Sequence, residues 1–74
     1  MIHTAKKVAD FMNLDLRSFI KLCSKYNIDV IGVERKGSVK YLSEGSLIEL
    51  IGYLDKRKIK SIGEIEGKLK VEFE

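Results

Sequence analysis

Proline, tryptophan and glutamine are absent from this chain, and cysteine and histidine occur once each. The single thiol, Cys23, excludes an internal disulfide, and without a cluster of cysteines and histidines no metal staple is available, so packing alone must hold the domain. Such thiol usage fits a reducing, cytoplasmic setting. No apolar run is long enough to cross a bilayer, and the opening "MIHTAKKVAD" lacks the apolar centre of a secretory leader, so no membrane partner is expected. Also missing are a glycine-rich phosphate loop and any converging set of serine, histidine and aspartate, while the acids are scattered. The expectation is a protein that is not an enzyme, with no catalytic residue, no metal and no cofactor. The missing residue types, set beside abundant Lys, Glu and Ile, form a bias shared with thermophile proteins.

What is present is one small core. A chain of 74 residues that is 45% hydrophobic has room for a single compact unit. Domains this short bury only about 60% of the surface their unfolded chains expose, which leaves little space for an elaborate active site. The net charge of +3 permits nucleic-acid binding without requiring it. Its distribution says more: residues 1–42 carry eight basic groups against four acids, whereas residues 43–74 carry six against seven.

Periodicity divides the chain. Thr4 is placed to cap a first helix over 5–12, with Ala5, Val8, Ala9 and Met12 on one buried face. Asn13 and Leu14 interrupt it, and Asp15 is a good N-cap for a second helix over 16–27. Phe19, Leu22, Cys23 and Tyr26 share the apolar side of that second helix and are expected in the core, Cys23 as a small hydrophobe. Its opposite side carries Arg17, Lys21, Ser24 and Lys25, with Ile20 at the margin. Two short helices joined by so tight a turn must cross at a large angle, the geometry of a helix-turn-helix. From Asp29 onward "DVIGVE" and "VKYL" predict two strands joined through "RKGS", where Gly37 supplies the positive φ of a tight turn. Ser43 caps a third helix bearing Leu47, Leu50, Ile51 and Leu54, which runs into the cationic "DKRKIK". That run is open to two readings, a flank of the helix C-terminus or a phosphate patch. The last seven residues alternate, with Leu69, Val71 and Phe73 on one side, and predict a terminal strand that pairs either with the 30–42 hairpin or with a second copy. His3, near the terminus and without a partner at ligand spacing, is expected to be incidental.

The stretch "TAKKVADFMNLDLRSFIKLCSKYNI" followed by "GVERKGSVKYLSEGSLIELI" resembles the excisionase and MerR-type DNA-binding domains over residues 3–56. Thr4, Val8, Ala9, Met12 and Leu14 fall on that family's capping and apolar positions, Asp15 on the cap of its recognition helix, and Arg17 and Lys21 on its exposed basic positions. There are departures. Asn13 stands where the turn usually has glycine, Leu16 replaces a residue that is often polar, and "SKYNIDV" is longer and less basic than the usual connection. This last feature is shared with the amino-terminal helical domain of a bacterial translation initiation factor, against which the expected hairpin argues. The small subunit of phage terminase, another winged DNA binder, is a closer competitor.

The resemblance implies an α+β, mainly α, winged helix-turn-helix with a C-terminal β-strand. Residues 1–58 would be the DNA-binding domain and 59–74 an extension serving self-association. It implies a sequence-specific double-stranded DNA-binding protein: a small transcriptional regulator, or an excisionase-like architectural factor of a mobile element that directs a recombinase. In such a motif Arg17 and Lys21 contact bases or phosphates, Ser24 and Lys25 phosphates, and Ile20 a thymine methyl, while Arg35, Lys36 and Lys40 reach the backbone from the wing. One such domain covers few base pairs, so a homodimer or a cooperative array is expected. A charged helical stripe is by itself most often a solvated face. The alternative is a winged-helix protein-interaction module that does not bind DNA.

Overall fold

In the computed structural model, which describes residues 2–74, three side chains begin the three helices. Thr4 Oγ1 accepts from the Lys7 amide at 3.2 Å and opens α1 (Ala5–Phe11). The Asp15 carboxylate accepts from the Ser18 amide at 2.7 Å and opens α2 (Leu16–Lys25). Ser43 Oγ accepts from the Ser46 amide at 3.2 Å and opens α3 (Glu44–Leu54). These are the caps expected from the sequence, each satisfying an amide that has no partner within its helix. Helices α1 and α2 also end alike. Asn13 and Asn27 take left-handed φ values of 58° and 56°, and the amides of Leu14 and Ile28 reach back to the carbonyls of Ala9 and Cys23, each at 2.9 Å. Asparagine tolerates that conformation better than other side chains, which is why it serves here in place of glycine.

The strands form two small antiparallel sheets. In one, β1 (Ile2–Thr4) pairs with β2 (Tyr41–Ser43), His3 opposite Leu42. Tyr41 also exchanges both of its backbone hydrogen bonds with Ile31, at 2.8 and 3.0 Å. That single pair is all the ladder that joins the two expected strands of the 30–42 hairpin; residues 32–38 between them are turns and bends. The cause is local. Gly32, at φ +87°, bends the chain away directly after the bridge, and a Cβ there would stand 3.0 Å from the Val39 carbonyl. Ser38 then closes the bend, its hydroxyl donating to the carbonyls of Gly32 and Arg35 at 3.2 and 3.0 Å.

Beyond Leu54 the chain departs from expectation again. Asp55 is already extended, so the cations of "DKRKIK" lie just past the end of α3 and lead into a strand. The Asp55 carboxylate accepts from the Arg57 amide at 2.9 Å and pairs with its guanidinium at 2.7 Å, which turns the chain into β3 (Ile59–Ile65). This strand, absent from the sequence reading, is the partner of the terminal strand β4 (Lys68–Phe73). An irregularity in register between Ile59 and Ser61 lets Ile59 and Ile62 lie opposite Phe73 and Val71 on one face. Three-residue spacing would otherwise put those isoleucines on opposite faces, so the strand does not show the alternation that reveals β4. Glu66 and Gly67 join the strands with φ values of 53° and 75°, the pattern of a type I′ turn.

One core takes side chains from nearly every element: Ala5, Val8 and Ala9 from α1, Phe19 and Cys23 from α2, Leu42 from β2, Leu47, Leu50 and Ile51 from α3, and Leu69 from β4. Ile28 and Val30 close it from the connection after α2. Leu22 and Tyr26 are half-buried at its edge, Tyr26 stacking on Tyr53 with ring centres 4.9 Å apart. His3 is fully buried, with Nδ1 3.2 Å from Glu64 Oε2, and so is a structural residue and not an incidental one.

Candidate nucleic-acid interface

The α2 cap and the turn before it aim the helix. With Phe19 and Cys23 held in the core, the helical period carries Arg17, Lys21, Ser24 and Lys25 outward, and all four are exposed. Asp15 lies at the positive end of the helix dipole. Its carboxyl is held below the usual range by the amide and hydroxyl of Ser18, with a smaller pull from Lys21. Ile20 differs from the exposed aliphatic expected of it: it is half-buried against the edge of the core and shows only part of its side chain. Cys23, on the inner face, has its thiol pushed up to about 11 by burial, which suits a packing role.

The 29–40 loop lies against one flank of α2. It brings Val33 and Lys40 beside Leu16, Arg17, Ile20 and Lys21, so that these six residues line one open cleft. Val33 continues into a second groove with Ile20, Ser24 and Asn27. Of the expected wing residues, Lys40 is thus close to the α2 cations; it is half-buried, and its ammonium donates to the Ser38 carbonyl at 3.2 Å. Arg35 and Lys36 are exposed at the loop tip and line neither space. Lys25, near the end of α2, sits 5.5 Å from the centre of the Tyr26 ring.

Among the described residues, the ion pairs join Lys7 to Glu64, Arg57 to Asp55 and Lys70 to Glu72, and the His3 ring nitrogens lie 3.2 Å from Glu64 and 3.9 Å from Glu44. None of them involves Arg17, Lys21, Lys25, Arg35, Lys36 or Lys40. Lys21 feels the nearby Asp15 carboxylate but forms no salt bridge with it, and cations outside salt bridges can neutralise phosphates without first breaking such pairs. Leu16 and Val33 are the site residues that sequence reasoning missed. For Leu16 a signal existed, since it stands four residues before Ile20 and shares its helical flank; for Val33 there was none, because its position follows from the bend at Gly32. Among the described residues no group of three or more His, Cys, Asp or Glu is placed to hold a metal, and no helix is long and apolar enough to cross a membrane. Comparison with protein-family models, with curated proteins and with solved structures returns no match.

Proposed function

We propose that this chain is a sequence-specific double-stranded DNA-binding protein of winged helix-turn-helix build, with α2 as the helix that enters the major groove and the 29–40 loop as a short wing. The observation that carries this reading is the exposed row of Arg17, Lys21, Ser24 and Lys25, whose cations form no salt bridge, on a helix whose other face is locked in the core. Long cations on such a face reach guanine O6 and N7 or the flanking phosphates, and a bidentate arginine contributes roughly 1 to 3 kcal/mol of base discrimination. Arg35 and Lys36 on the loop, with Lys40 at its base, add contacts to the sugar-phosphate backbone that carry little sequence information. The task that suits so small a domain is transcriptional control, or an architectural role beside a recombinase, exercised as a dimer or a cooperative array.

Fluorescence anisotropy with duplex DNA at two salt concentrations tests the proposal. Affinity is expected to fall steeply with salt. The double change Arg17→Ala and Lys21→Ala is expected to weaken binding by about tenfold or more and to flatten the salt slope. Binding that ignores both salt and the double change would replace this reading with a protein-interaction module.

A further inference from the structure

The cleft between α2 and the 29–40 loop has a chemistry of its own. Its lining joins Leu16, Ile20 and Val33 to Arg17, Lys21 and Lys40, and no acidic residue is among them. Leu16 and Val33 remain 40% and 48% exposed although they lie together. An apolar surface gathered in one place and ringed by a single sign of charge marks a contact for something apolar at its centre and anionic at its edges. A thymine in the major groove has this form, its C5-methyl projecting from the base edge and phosphates running along both sides. Further cations lie exposed on the same two elements, Lys25 on α2 and Arg35 and Lys36 at the loop tip, an arrangement that suits a duplex backbone better than a short acidic peptide.

Resting on the DNA-binding reading above, we infer that this cleft receives thymine methyl groups and biases the protein toward sites containing A·T pairs at the positions facing Leu16, Ile20 and Val33. Arg17, Lys21 and Lys40 hold the phosphates on either side. The specificity is thus divided between two elements, and the loop takes part in reading the base edge as well as gripping the backbone.

The test compares an alternating dA·dT duplex with its dA·dU counterpart, which lacks only the methyl groups, at fixed salt. Each contacted methyl is expected to be worth about a fourfold change in affinity, the amount that corresponds to burying one such group. The variant Leu16→Gln with Val33→Gln changes only exposed side chains. It should keep its circular dichroism spectrum and bind both duplexes as weakly as the unaltered protein binds dA·dU. Equal binding of the unaltered protein to the two duplexes, with Arg17→Ala plus Lys21→Ala still weakening both, would overturn the cleft assignment and leave DNA binding standing. Absence of salt-dependent binding to either duplex would overturn both readings. A Leu16→Gln and Val33→Gln variant that passes from dimer to monomer in sedimentation, while keeping the preference for dA·dT, would make the cleft a contact between copies and overturn the inference.

Discussion

Glu64 lies opposite Leu69 in the C-terminal hairpin, on the face whose neighbouring pairs are Ile62 with Val71 and Ile59 with Phe73. Glu64 is exposed there and its carboxylate still has two partners, Lys7 Nζ at 2.7 Å and His3 Nδ1 at 3.2 Å. The hydrogen bond from Lys7, followed by that from His3, holds the Glu64 carboxyl below its ordinary value of 4.5. Because its folded value is the lower one, the stabilisation is present above the unfolded value and is lost as pH falls through the folded value. Urea unfolding from neutral to acidic pH should therefore show Glu64→Gln starting from a lower midpoint and falling less steeply than the unaltered protein. Parallel curves for the two proteins would remove this carboxylate from the acid response. None of this is legible in the sequence, since His3 and Glu64 are 61 residues apart and no local pattern connects them. The helix caps at Thr4, Asp15 and Ser43 and the left-handed Asn13 are legible, because in each the cause lies within a few residues of the effect.

At the scale of elements, the 29–40 loop depends on one backbone angle. Gly32 turns the chain out of the Ile31–Tyr41 bridge with a positive φ, close against the Val39 carbonyl, and this sets where Val33 sits beside α2. Gly32→Ala is expected to lower stability by about 1 to 2 kcal/mol, measured by thermal or chemical unfolding, because alanine resists that φ and its Cβ would crowd the carbonyl. Gly37→Ala shares the positive φ but meets nothing within 4 Å, so it should cost less. An equal loss at both positions would mean that the close approach to Val39 contributes nothing. The strand signal at "VKYL" is borne out in part, since Tyr41 and Leu42 belong to β2, but its main partner is β1, and after the Ile31 bridge Gly32 bends "DVIGVE" away. In β3 the reverse occurs: the irregular register near Lys60 hides a strand from any reading based on alternation.

Across the whole molecule, the C-terminal hairpin is continuous with the helical core. Leu69 is 7% exposed and packs in the same cluster as Val8, Phe19 and Leu50. Its far end is tied down as well, with the Arg57 guanidinium 4.0 Å from the centre of the Phe73 ring and the Glu74 amide donating to the Lys58 carbonyl at 2.8 Å. Leu69→Ala is expected to lower stability by about 2 to 4 kcal/mol. Unfolding should remain a single transition followed identically by far-ultraviolet circular dichroism and by tyrosine fluorescence. Two separate transitions would show that the hairpin folds apart from the helices. The terminal strand, expected to seek the 30–42 hairpin or a second copy, finds β3 of its own chain.

The sequence by itself determined where the helices begin, that Asn13 breaks the first of them, which sides of them face inward, and that the outer side of α2 is cationic. These follow from periodicity and from short-range hydrogen bonding, both of which are written into neighbouring residues. Only the tertiary structure decided that His3 and Glu64 meet, that β3 exists to receive β4, and that Leu16, Ile20 and Val33 gather into one cleft among three cations. Those outcomes depend on contacts between distant segments and on single backbone turns, and the free energy that selects them is shared across the core, not stored in any one stretch of chain.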